Sequence, residues 1–169
     1  KFRWKRSFSA FTIWGAVMLI MLFLSVFNSD EIVLNFDINK FIPLFFISVL
    51  LIPIQTTTEE LLFRGYFAQG IHPFIKKGAL TIIITSICFA LMHAFNPEVQ
   101  KLGNTLLIYY FLTGIFLGII TLMDNGLELA IGYHAANNFF TAILISNDWQ
   151  AFQTDAVFMD YSEPSFTWD

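Results

Sequence analysis

Five stretches, each near the roughly 20 mostly apolar residues that a bilayer-spanning helix requires, fill most of this sequence and constrain its fold more than any motif does. They cover residues 8–27, 41–70, 79–95, 104–123 and 127–146. The first carries no charge, whereas Glu59, Glu60 and Arg64 interrupt the second. Hydrophobic residues make up 56% of the chain and charged residues 13%, the latter about half the roughly 25% usual in a soluble domain. Those figures exclude a disordered chain and a basic nucleic-acid-binding domain, so no nucleic-acid partner is expected. The single Cys88 cannot close an internal disulfide and reads as a small buried apolar residue. The predicted fold class is all-α, a multipass transmembrane helical bundle with about five spanning helices. One domain is expected over 1–146, followed by an acidic peripheral tail over 147–169. The lipid bilayer is the first expected partner.

The net charge of −4 hides an end-to-end asymmetry. Lys1, Arg3, Lys5 and Arg6 open the chain, while the tail holds Asp148, Asp155, Asp160, Glu163 and Asp169 and no Lys or Arg. Lys76 and Lys77 separate the second and third segments; Asp30, Glu31 and Asp37 separate the first and second. Cytoplasmic loops carry the excess of Lys and Arg, which predicts an integral protein of the cell membrane with its N-terminus cytoplasmic and its tail outside. Asp124-Asn125-Gly126 reads as a tight turn and brings no positive charge to weigh. The first segment is too long for a signal peptide and lacks a small-residue cleavage site. The chain opens on Lys1, not on Met, and is expected to be an internal piece. Pro43 is placed in the first turn of the second helix, and Pro53 is expected to kink or break that helix. The tail has scattered aromatics without a period, and no alternation suggests a barrel strand.

Ionisable side chains inside a bilayer cost roughly 2.5–3.5 kcal/mol each and mark functional sites by default. Here they are Glu59, Glu60, Arg64, His93 and His134, with Asn137 and Asn138 beside them. Spacing sorts them. Glu60 and Arg64 stand at i and i+4 on one helix face and are able to pair. Glu59 lies about 100° further round, without a dedicated cation, and suits proton transfer. His134 and Asn138 share a face, with Asn137 turned roughly 60° away, and Phe89 stands one turn below His93. Each residue also has a plainer use. Glu60–Arg64 reads as well as a structural salt bridge, a lone histidine more often joins helices, and Asn138 and Phe89 suit interhelical glue and core. His72, before Pro73, reads as interfacial; Glu98, Asp124 and Glu128 read as caps or loop charges. What lifts the set above these uses is coincidence on three helices, within roughly 10 Å of the midplane.

The same residues form three motifs. Thr58-Glu59-Glu60-Leu61-Leu62-Phe63-Arg64-Gly65 contains EExxxR, Phe89-Ala90-Leu91-Met92-His93 is FxxxH, and His134-Ala135-Ala136-Asn137-Asn138 is HxxxN. In this order, on successive hydrophobic segments, they resemble the CPBP family: type II (Rce1-like) CAAX prenyl endopeptidases with bacteriocin-processing and Abi-like membrane proteins. The resemblance covers 41–146. It implies a helical intramembrane endopeptidase acting on a membrane-associated peptide or lipidated, CAAX-like protein. Glu59 would activate the attacking water, His93 would hold it, and His134 and Asn138 would stabilise the oxyanion, with Glu60 and Arg64 as the supporting pair.

The family has also been grouped with metalloproteases, and Glu59, His93 and His134 are side chains of zinc-binding type, with water left for the fourth position. Against zinc, no HExxH pair lies on one helix, and no acidic partner for either histidine is evident. The reading therefore favours a glutamate-activated water and leaves zinc open as a cofactor. Two rivals stand beside it. A non-catalytic bacteriocin self-immunity or interaction protein would not require Glu59 beside a salt-bridged Glu60. A proton-coupled carrier fits intramembrane carboxylates, but five helices without repeats disfavour it.

Overall fold

The computed structural model describes residues 1–162; the end of the acidic tail, with Glu163 and Asp169, lies outside the described residues. The chain forms α1 (Trp4–Asn28), β1 (Ile32–Leu34), α2 (Ile38–Glu60), a π-helical stretch (Leu61–Phe67), α3 (Ala68–Ile75), α4 (Gly78–Met92), α5 (Pro97–Leu102), α6 (Thr105–Asp124), α7 (Glu128–Leu144), β2 (Ile145–Ser146) and β3 (Phe158–Asp160). It is an all-α bundle with a small sheet at one end. α7 is the central helix. Its Phe139, Ala142 and Ile143 join Ile52 of α2 in a buried core, and α1 and α2 pack along it.

The outer faces are inverted relative to a soluble protein. α1 buries only Gly15 and exposes Phe8, Ile13, Leu19, Ile20 and Phe23. Such a surface is stable against lipid and not against water. Among the described residues three helices are long and apolar enough to cross a membrane: Trp4–Asn28, the continuous Ile38–Ile75 and Thr105–Asp124. The expected count of five is reached only in part. α4, at 15 residues, and α7, at 17, span about 22 and 25 Å, short of a hydrocarbon core of about 30 Å. The missing length goes into other structure. α4 stops at a turn that begins at His93, and residues 145–146 leave α7 to pair as a strand.

The second segment departs from expectation too. Its helix starts at Ile38, capped by the Asp37 carboxylate on the Asn39 N–H (2.9 Å), so Pro43 falls beyond the first turn. Pro53 does not break the helix, which runs on through it; a spanning helix tolerates proline where neighbouring helices, Ser or Thr side chains or local widening re-satisfy the backbone groups it frees. The irregularity comes instead at Leu61–Phe67, immediately after the two glutamates. Helices of this widened kind are rare and concentrate at functional sites.

Three devices lock the bundle. Arg3 reaches Asp124 (2.8 Å) and Glu128 (2.6 Å), and Arg6 also pairs with Asp124, so the α6–α7 turn is tied to the N-terminus. Asp124 and Glu128 are thus ion-pair partners, not simple caps. Gly132 lets α7 approach α1 so closely that a Cβ there would overlap the Ser7 backbone carbonyl. We expect Gly132→Ala to cost about 1–3 kcal/mol by forced separation of the two helices. Thermal unfolding in detergent micelles checks this, with Gly70→Ala as the control because open space surrounds Gly70.

The third device is the tail. β3 pairs antiparallel with β1 (Val33 opposite Met159) and parallel with β2 (Ser146 opposite Met159), giving the order β1-β3-β2. Thr154 donates to the Ala142 carbonyl (2.6 Å), and Ala156 is fully buried. The described part of the segment read as peripheral is held to the rest of the chain as far as Tyr161, whose N–H bonds to the Glu31 carbonyl.

Candidate active site

Glu60, the last residue of α2, is completely buried. Its Oε1 accepts from Arg64 Nη1 at 2.9 Å and lies 2.8 Å from His134 Nδ1 on α7. Arg64 balances its charge, donates on to the Gly114 carbonyl of α6 (3.2 Å), and sits 4.5 Å above the Phe89 ring. Gly114 also lets α6 approach α4 closely, since a Cβ there would come within 2.9 Å of Ser86 Cβ. A carboxylate only accepts, so the proton of the shared bond sits on His134 Nδ1. The sequence showed no acidic partner for either histidine, and Glu60 is that partner for His134.

The other ring nitrogen, Nε2, lies 3.8 Å from Glu59 Oε2. Glu59 accepts from Gln55 Nε2, one turn earlier, at 3.0 Å. The two neighbouring glutamates differ in access: the Glu59 side chain is 19% exposed, the Glu60 side chain not at all. One histidine thus lies between a charge-balanced, inaccessible carboxylate and an open one.

His93 caps the end of α4. Its Nδ1 bonds to the Phe89 carbonyl (2.8 Å), and its ring stacks on Tyr110 of α6 at 4.1 Å. Phe89 is the floor shared by the site, with ring centroids 4.7 Å from His93 and 6.0 Å from His134. Asn138 accepts from Asn137 Nδ2 (3.3 Å) on its Oδ1, which leaves its own amide N–H groups available as donors. Asn137 itself accepts from Trp14 of α1 (3.2 Å) and was expected to turn away, yet it borders the same cavity.

That cavity, about 510 Å³, is bordered by Glu59, His93, His134 and Asn138 together, with Glu60 and Arg64 behind its wall. Residues 149–152 of the tail complete the wall. Three further groups border it, two of them, Gln55 and Tyr110, not singled out in the sequence and the third, Glu98, given another role there. Gln55 had a usable signal, four residues before Glu59. Glu98, read as a loop charge, is buried, and Tyr110 sits in an apolar run with nothing to distinguish it. Among the described residues no group of three His, Cys, Asp or Glu side chains is arranged to hold a metal ion. The zinc set Glu59, His93, His134 is not assembled, because the His93 ring is held on Tyr110 and the Phe89 carbonyl.

Fold and site together define a helical integral membrane protein with an ionisable site inside its bundle. Residues 38–140 match the type II CAAX prenyl endopeptidase Rce1-like family, and the chain belongs to it. It is 30% identical over 148 residues to the uncharacterized protein YyaK of Bacillus subtilis (strain 168), an alignment covering 86% of this chain and 50% of that protein. The chain spans about half the length of this curated relative. No solved structure gives a significant match.

Proposed function

We propose that the chain is an intramembrane endopeptidase that hydrolyses a peptide bond in a membrane-associated or lipidated, CAAX-like protein or peptide. The supporting observation is the His134 imidazole set between two carboxylates, one tied to Arg64 and one open to a cavity in an apolar bundle. Glu59 takes a proton from a water that His93 orients, as the water oxygen adds to the scissile carbonyl carbon. The oxyanion receives hydrogen bonds from the Asn138 amide and from His134, which acts here as the imidazolium, with Nδ1–H on Glu60 and Nε2–H on the oxyanion. Glu60 accepts from Nδ1 and stabilises positive charge on that ring, as the carboxylate of a catalytic triad does. When the C–N bond breaks, Glu59 returns the proton to the departing amine. Removing one oxyanion donor costs about 2.7–4 kcal/mol of barrier in a water-poor site. In this reading Arg3, Arg6, Lys76 and Lys77 place the N-terminus in the cytoplasm.

The test is cleavage of quenched fluorescent peptides, prenylated and unprenylated, by detergent-purified protein. Turnover that requires Glu59 supports the reading. Its absence from every peptide, with folded protein, favours the interaction or self-immunity role instead. A strong zinc chelator is expected to leave turnover unchanged, because the three candidate ligands do not converge.

A further inference from the structure

Glu98 is a carboxylate with 8% exposure in the wall of an intrabundle cavity, and a buried charge that the hydrolytic steps do not use calls for a reason. Its contacts supply one. Glu98 stands in the first turn of α5, and its Oε1 accepts from the Tyr110 hydroxyl on α6 and from Asn96 Nδ2 (3.1 Å). Asn96 Nδ2 also lies 3.3 Å from Tyr110 Oη, closing a three-membered polar cluster. The Tyr110 ring is thereby fixed at its far end. Its face lies against His93, with centroids 4.1 Å apart and planes 23° from parallel.

His93 needs such support. It is not inside a helix but at the end of one, with φ −91° and ψ 0°. The Nδ1 bond to the Phe89 carbonyl holds one atom of the ring and leaves rotation about that contact. A flat aromatic wall removes that freedom, and a tethered wall removes more than a free one. Aromatic stacking adds a preferred geometry to the contact, and a phenol donating to a carboxylate is among the stronger neutral–ion bonds.

We infer that Tyr110 and Glu98 are positioning residues for His93: Glu98 anchors the Tyr110 hydroxyl, and the Tyr110 ring holds the imidazole in its working orientation over the cavity. The inference deepens the endopeptidase reading, on which the role of His93 rests, but its test does not depend on turnover.

With 15N-histidine label in micelles, the His93 Nδ1–H on the Phe89 carbonyl gives a ring N–H signal, assigned by its loss in His93→Gln. In Tyr110→Phe, which keeps the stack and cuts the tether, that proton is expected to exchange at least about tenfold faster. The value of kcat should fall about 10–100-fold with KM little changed, the scale of a small misplacement at a reacting group. Glu98→Gln retains an acceptor oxygen and should restore both readouts to near wild type, whereas Glu98→Ala should behave as Tyr110→Phe does. Unchanged His93 exchange in both folded Tyr110→Phe and Glu98→Ala overturns the inference. Faster exchange in a protein whose wild type cleaves nothing upholds the clamp and overturns the endopeptidase reading.

Discussion

Glu59→Gln is expected to lower kcat for the cleaved peptide by about 10²–10⁴-fold, the usual contribution of a positioned general base, and to leave the unfolding midpoint where it was. Geometry separates the two effects. Glu59 accepts a side-chain hydrogen bond from Gln55 at 3.0 Å, and glutamine keeps an oxygen there to accept it. The carboxylate is partly open to the cavity, with His134 Nε2 3.8 Å away. What the amide cannot do is take a proton from water. Turnover in micelles, measured beside circular dichroism melts, checks both halves. Retained turnover places the base elsewhere, and a collapsed melt shows that Glu59 carries structure rather than chemistry.

The sequence made the membership of this site legible but not its wiring. Spacing on one helix is enough to pair Glu60 with Arg64, and hydrophobic segments with polar interruptions are enough to select Glu59, His93, His134 and Asn138, which do border one cavity. The bond from His134 to Glu60 joins residues 74 apart on different helices, and no periodicity within either helix encodes it. Tyr110 and Glu98 were hidden for the same reason, since each looks ordinary beside its own neighbours. The strand pairing of the tail was hidden for another. Strands of two and three residues are too short to show an alternation, and their pairing is set by where α7 stops and where β1 begins. Pro53 does not break its helix because a break in lipid would leave further backbone groups unpaired, at more cost than the one bond the proline removes.

Arg64→Met is expected to be the most destabilising single substitution in the site, by about 3–5 kcal/mol, since it strands a buried carboxylate. Glu60 has no exposure, and Arg64 is its balancing cation at 2.9 Å. The methionine fills most of the arginine volume, so the loss reports charge more than cavity. Glu60→Gln alone is also expected to destabilise, because Arg64 then loses its buried counter-charge and faces neutral partners such as the Gly114 carbonyl and the Phe89 and Phe63 rings. The double variant removes both charges and leaves a glutamine oxygen to accept from His134 Nδ1. Replacing both members of a buried pair by neutral groups is often close to neutral, so the double variant should regain at least half of the stability lost in Arg64→Met. Its catalysis should not return, for the ring of His134 has lost the carboxylate that stabilises its positive charge. A folded, slow double variant, read by unfolding in micelles and by peptide turnover, separates the pair's structural role from its catalytic one. A double variant no more stable than either single variant would show that Glu60 and Arg64 are held by something other than each other.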